Sequence, residues 1–178
     1  MTTAAAPLSG TYAVDPVHSS FAFAVRYQGV SIFKGTLDEV QATLADGRLE
    51  GVAKVESISI RTPEQFRAHV LSAEFFDAEN HPTVDFRSND IEIAEDGTAK
   101  VEGELTIKGI TRPVSATGTW IEPAADAFGN TRGHLNLEAV IDRTEYEMNW
   151  NAPLPSGGKA LANEVTLTVE LSLVEQQA

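Results

Sequence analysis

Apolar residues recur at every second position along most of this chain, the period of a strand with one buried face. Phe21, Phe23, Val25 and Tyr27 share one face, with Ser20, Ala22, Ala24 and Arg26 on the other. The same alternation runs through Leu49, Gly51, Ala53 and Val55, then Val84 and Phe86, then Val101, Gly103, Leu105 and Ile107. It continues at Val114, Ala116, Gly118 and Trp120 and at Leu135, Leu137, Ala139 and Ile141, and ends at Val165, Leu167, Val169, Leu171 and Leu173. Asp46-Gly47 and Asp96-Gly97 predict type I′ hairpins, in which both central residues have positive φ. Gly109, Gly129-Asn130 and Ser156-Gly157-Gly158 mark further reversals. Many long strands joined by hairpins, without βαβ spacing, predict an all-β antiparallel barrel or sandwich. Their length favours the barrel.

One segment departs from the period of two. Thr62-Pro63-Glu64-Gln65 has the form of a capping box with proline at the first helical position. Phe66, Val70 and Ala73 follow at helical spacing. The pattern predicts one short helix near residues 63–73, lying across one end of the barrel. Residues 1–9 read as a flexible tail and 10–176 as a single domain.

Composition narrows the partners. With 26 acidic against 13 basic residues and a net charge of -13, the surface as a whole repels phosphate backbones and anionic membrane faces. No nucleic-acid partner is expected. No stretch approaches the roughly 20 apolar residues of a membrane span, so no integral membrane segment is expected. The first ten residues carry neither a basic residue nor an apolar run of signal-peptide length. The expectation is cytoplasmic as written, or periplasmic or secreted if a leader was removed. The absence of cysteine excludes disulfides and thiolate chemistry but suits either compartment.

The search for reaction chemistry returns little. His18, His69, His81 and His134 make no metal-binding spacing, although a zinc or iron site built from distant strands stays open. There is no Gly-x-Ser-x-Gly elbow, and Ser156-Gly157-Gly158-Lys159 lacks the first glycine and the hydroxyl ending of a phosphate loop. Asp142-Arg143 predicts a buried ion pair at the barrel rim. No catalytic residue, metal or cofactor is assigned, and the chain reads as a binder and not an enzyme. The inner faces mix bulky Phe21, Phe23, Phe86 and Trp120 with small Gly51, Ala53, Gly103, Ala116, Gly118 and Ala139. Small residues either keep a lumen open or relieve strain where strands curve. The pattern alone leaves both readings standing.

A run of short motifs spans nearly the whole chain. It begins with Tyr12-Ala13-Val14-Asp15-Pro16-Val17-His18-Ser19 and the Phe21-x-Phe23-x-Val25 alternation. Ser57-Ile58-x-Ile60-x-Thr62, His69-Val70-Leu71-Ser72-Ala73-Glu74-Phe75-Phe76-Asp77 and His81-Pro82-Thr83-Val84-x-Phe86-x-Ser88 follow. Gly103 to Thr111, Ile141-Asp142-Arg143 and Asn163-Glu164-Val165 complete the order. In this order the motifs resemble the YceI-like family of bacterial lipid-binding proteins. Phe66-Arg67 stands where many relatives carry Arg-Asp, Tyr146-Glu147 where Phe-Gly is frequent, and Ala162-Asn163 where Gly-Asp is frequent. These departures alter the helix and the barrel mouth.

The resemblance implies an eight-stranded antiparallel lipocalin-like β-barrel. It implies carriage of a long-chain amphiphilic lipid (isoprenoid, isoprenoid quinone or fatty-acyl) in an apolar lumen, with no catalytic set. The lumen would be lined by Phe21, Phe23, Val25, Phe86, Leu105, Ile107, Trp120, Leu137 and Val169, with Met148 and Trp150 near one mouth. Arg67, His69 and Arg143 are the rim residues available to a polar head, while His18 and His69 also read as structural fixtures. A homodimer fits the family, and nothing in the pattern demands it. Two other readings remain. One is an enzyme or stress-response protein acting on a small apolar substrate through His69 or a carboxylate that no motif marks. The other is a barrel packed solid that serves as a protein-interaction module.

Overall fold

The computed structural model describes residues 8–177. The expected tail therefore falls mostly outside the described residues, and Leu8 at its end already packs against the core. Ten strands are present: β1 (Thr11–Val14), β2 (Ser20–Tyr27), β3 (Ser31–Leu37), β4 (Val40–Ala45), β5 (Arg48–Lys54), β6 (Thr83–Ile93), β7 (Thr98–Ile107), β8 (Ile110–Ala125), β9 (Thr131–Asp142) and β10 (Leu161–Glu175). They form one antiparallel sheet, ordered β1-β4-β5-β6-β7-β8-β9-β10-β2-β3, that closes through β1 on β10.

Ten segments make eight staves, because two staves are broken. β10 holds β2 along Val165↔Val25 to Glu170↔Ser20 and then β1 along Leu173↔Val14 to Glu175↔Tyr12. At the break, Asp15 N–H donates to Ser172 O at 2.8 Å and Ser172 N–H to Ser19 Oγ at 2.9 Å. β3 and β4 form the second broken stave. β4 pairs with β5, whereas β3, paired with β2 on one edge, meets only residues 57–59 on the other, through the Leu37↔Ile58 bridge and Ser59 N–H to Thr36 O at 2.8 Å. The result is a closed eight-stranded antiparallel barrel with its wall parted beside β3.

Turn chemistry explains most of the reversals. Asp46 and Gly47 both have positive φ, at 50° and 78°, as the type I′ reading requires. Gln28-Gly29 and Lys108-Gly109 adopt the same left-handed pair. The second expected type I′ turn is different. Only Gly97 has positive φ, and Asp96 instead accepts from Thr98 N–H at 2.8 Å, giving a three-residue loop.

The helix, α1 (Glu64–Leu71), also differs at its start from the sequence reading. Pro63 is the cap itself and the Thr62 hydroxyl makes no capping bond, so the expected capping box does not form. Arg67 ties the helix to the wall by donating to the carbonyls of Glu56, Ile58 and Ile60 at 2.8, 3.2 and 3.1 Å.

The two ends of the barrel are packed differently. Toward the β4–β5 and β6–β7 turns the interior is filled: Leu44, Leu49, Val101, Leu135 and Leu173 are 0–3% exposed. Outside this end, Arg132 donates to Asp15 at 2.7 Å, to Asp126 at 3.1 Å and to Ser172 Oγ at 2.7 Å. That one guanidinium binds the β1–β2 break to the β8–β9 loop. The opposite end, beside β3 and α1, is hollow.

Candidate ligand-binding site

The hollow end holds a cavity of about 570 Å³. Its walls come from three sources. The β2–β3 hairpin supplies Phe21, Phe23, Val25 and Phe33, because Val25↔Phe33 is a cross-strand pair whose side chains share the inner face. The parted wall is covered by α1 and the turn after it, which supply Phe66, His69, Val70, Phe75 and Phe76. Strands β7, β9 and β10, with the segment after β9, add Ile107, Ile141, Arg143, Met148, Trp150 and Leu167. Aromatic edges interlock around the chamber, with Phe33 against Phe66 at 5.5 Å and Phe23 against Phe33 and Phe76 at 6.0 and 6.2 Å.

Beneath the chamber lies a narrower slot of about 90 Å³, and every residue lining it is apolar. Phe21, Val84 and Leu167 line both spaces and so form the neck between them. The slot exists because Gly51, Ala53, Ala116 and Ala139 put almost no side chain into it. Gly103 and Gly118 serve a different end. A Cβ at Gly103 would lie 2.7 Å from Phe86 Cζ, and one at Gly118 would collide with Asn136 O, so these glycines permit close approach.

The polar groups of the chamber sit at its upper rim and are mostly occupied. His69 Nε2 lies 2.6 Å from Glu74 Oε2, and its ring stands edge-on to Phe75 and Trp150 at 5.0 and 4.9 Å. Arg143 is 3% exposed and is held by carbonyls, donating to Ala162 at 2.8 Å, Met148 at 2.5 Å, Trp150 at 2.9 Å and Leu161 at 3.3 Å. The expected Asp142–Arg143 ion pair is absent. Asp142 turns instead to Thr144, accepting from its N–H at 2.9 Å and its hydroxyl at 2.6 Å. Those bonds hold the Asp142 carboxyl below its ordinary range, while burial lowers the Arg143 pKa and nearby Asp142 opposes that shift. Burial likewise pushes the neighbouring Tyr146 phenol up to about 12. The Arg143 clamp therefore fixes the course of the chain from Met148 to Ala162 over the chamber.

The structure places the sequence-derived candidates in four groups. Phe21, Phe23, Val25, Ile107, Met148, Trp150, His69 and Arg143 line the chamber. Phe86, Leu105, Leu137 and Val169 line the slot, together with Phe21. Trp120 does neither: it lies at the filled end, edge-on to Tyr12 at 6.2 Å, because its strand face continues past the hollow. Arg67 also stands away from the chamber, spent on backbone carbonyls. Phe33, Phe66, Phe75 and Phe76 also line the chamber, although the alternation in the sequence does not mark them as lining. The Gln28-Gly29 turn was the available signal for Phe33, since it folds Phe33 onto Val25.

A closed antiparallel barrel of eight staves, hollow at one end and capped there by a short helix, is a lipocalin-like, cavity-bearing fold. Within that class, this chain belongs to the YceI-like family, whose domain model matches residues 12–173. A curated relative, a UPF0312 protein of Staphylococcus aureus, is 28% identical over 176 residues, covering 92% of this chain and 98% of its own. The crystal structure of Burkholderia cenocepacia BcnA superposes with a TM-score of 0.71 at 19% identity, over 89% of this chain and 98% of that one. A polyisoprenoid-binding domain from Saccharophagus degradans, implicated in plant cell wall breakdown, does so at 0.65 and 12% identity, over 93% and 98%. At these identities the two structures speak for the fold.

Proposed function

We propose that the protein holds one long-chain amphiphile, of isoprenoid, isoprenoid quinone or fatty-acyl type, with its tail in the chamber and slot and its head at the rim. The observation that carries this reading is the pair of adjoining spaces, a largely apolar chamber of about 570 Å³ and a wholly apolar slot of about 90 Å³ that share Phe21, Val84 and Leu167. The chamber alone falls within the usual size of a small-molecule site. A tail entering it gains about 0.8 kcal/mol per buried methylene. Roughly ten methylenes, less the costs of ordering and association, correspond to micromolar-order affinity. The polyisoprenoid-binding neighbour among the solved structures supports a lipid over other apolar ligands.

The reading is non-catalytic. The chamber's histidine is engaged by Glu74 and held edge-on against Phe75 and Trp150, and its arginine is committed to carbonyls. Neither faces a side-chain nucleophile in a pairing that general-base chemistry needs. The filled end stabilises the barrel and the hollow end carries the ligand, so a barrel packed solid throughout is not what this sequence builds.

Native mass spectrometry of freshly purified protein, with organic extraction of whatever co-purifies, tests the proposal. A stoichiometric long-chain amphiphile is expected. Protein that arrives empty and then takes up neither isoprenoid nor acyl lipid would rule the reading out.

A further inference from the structure

The lip of the chamber differs in charge from the rest of the molecule. Residues 16–37 and 148–163 contain no aspartate or glutamate, in a chain that carries 26 of them. The lysines and arginines within these two stretches are Arg26, Lys34 and Lys159, and all three are exposed. The fold sets the stretches side by side at the mouth, since Tyr27 pairs with Leu161 and Gln28 N–H donates to Ala160 O at 2.6 Å. The same lip holds large apolar side chains in water. Val30, at the tip of the β2–β3 hairpin, is 84% exposed and Ile32 beside it 53%, while Phe66 faces them from α1. Val30 lines neither the chamber nor the slot, so holding a ligand does not account for it.

We propose that this lip docks the barrel on a bilayer containing anionic phospholipid, with Val30 and Ile32 entering the interface and Arg26, Lys34 and Lys159 meeting the phosphates. The idea rests on the lipid-holding reading, for which it supplies the surface that gives and takes the ligand. Exposed apolar side chains beside three cations, on two stretches that carry no carboxylate, are complementary to such a surface, and the exposed Glu64 lies on α1 outside those stretches. The remainder of the protein, with 26 acidic residues against the 10 basic ones outside the lip and so a net charge of -16, is repelled by it. Screening limits both effects to about 10 Å at 0.1 M salt, so the cationic lip reaches the membrane while the acidic body stays at a distance. Repulsion elsewhere thus selects one orientation, mouth down. On the helix side Glu74 is already engaged by His69, and Asp38 lies 3.6 Å from Arg61.

Co-sedimentation with vesicles of phosphatidylcholine, alone or mixed equally with phosphatidylglycerol, tests the docking. Binding to the mixed vesicles is expected, with little to phosphatidylcholine alone and a decline as salt is raised. Val30→Glu and Lys159→Glu should each weaken it, by roughly fivefold per unit of charge changed. Arg48→Glu, at the filled end, should leave it unchanged. Equal binding to both vesicle types, no binding at low salt, or Val30→Glu and Lys159→Glu behaving like wild type would overturn the proposal. Self-association abolished by Val30→Glu in sedimentation velocity would assign the lip to a second copy, and would overturn it too. A fluorescent fatty-acyl probe without vesicles separates the two ideas. Val30→Glu and Lys159→Glu should hold the probe as wild type does. If wild type holds it yet ignores vesicles, the docking alone fails; if wild type cannot hold it, the lipid-holding reading fails on its own account.

Discussion

The ring of Phe23 lies over the α-carbon of Gly35, its cross-strand partner in the β2–β3 hairpin. A Cβ at Gly35 would stand 2.5 Å from Phe23 Cζ and 2.9 Å from Cε1. Gly35 does not have positive φ, so its glycine is required by the ring and not by the backbone. The hairpin thereby keeps a large aromatic flat against its own wall, leaving the chamber open. Gly35→Ala should push the ring into the chamber. The expected results are a stability loss of about 1 kcal/mol and acyl-probe affinity lowered about tenfold. Denaturant unfolding and probe titration of the same variant would check both, and an unchanged affinity would contradict the account.

The neck at Leu167 makes a prediction about ligand length. Leu167→Trp should plug the passage from chamber to slot, at a packing cost of about 1–3 kcal/mol. Short acyl probes should bind nearly as before, while long ones lose the affinity gained from the slot. Titration of a homologous probe series reads this directly, and a uniform loss at all lengths would count against the neck.

Removing Arg143 should damage the mouth before the barrel. Its guanidinium satisfies carbonyls on Met148, Trp150, Leu161 and Ala162, and a lysine cannot reach that fork of acceptors. Arg143→Lys is expected to cost about 3 kcal/mol. Hydrogen exchange should rise first over residues 148–162, and uniform protection there would refute the clamp.

Acid should loosen the filled end. The Asp126 carboxyl is held down at about 2, chiefly by the backbone N–H groups of Asn130 and Phe128, with Arg132 contributing. Bonds from His18 and Arg132 hold Asp15 lower still. Groups depressed in the folded state contribute stability above the ordinary carboxylate value, 3.8, and lose it as pH falls through the folded one. Melting temperature should therefore drop between about pH 4 and 2. Arg132→Met should show a shallower fall, and a slope identical to wild type would contradict the link.

His69→Ala distinguishes a binder from an enzyme. The ring is a staple between Phe75 and Trp150, so its loss should speed ligand release without abolishing uptake. Stopped-flow dissociation of the acyl probe measures the difference. Complete loss of binding would point to a central role for His69 that its edge-on, Glu74-bound position does not suggest.

The strands were legible because a period of two survives wherever one face is dry. The alternation from Leu135 to Ile141 and from Val165 to Leu173 became β9 and β10 with their inner faces as read. What the pattern could not reveal depends on distant partners. The two broken staves are set by Ser172 and by residues 57–59, far in sequence from the strands they interrupt. Asp142-Arg143 reads as an ion pair because opposite charges adjoin, yet the acceptors that hold Arg143 are carbonyls, which side-chain identity does not encode. Trp120 shares a strand face with slot residues, and only the position of the filled end along the barrel separates it from them.

The last strand is also the one that closes the wall, since β10 joins β9 on one side and both β2 and β1 on the other. A chain emerging from the ribosome thus presents β9 as an open edge until β10 has emerged, while β1 on β4 and β2 on β3 each wait with one edge unpaired. Closure joins segments more than a hundred residues apart, the kind of contact that slows folding and exposes sticky intermediates. The cavity has no far wall before that moment, because Val165 and Leu167 of β10 supply part of it, so the hollow takes shape only once the last of the ten strands is in place.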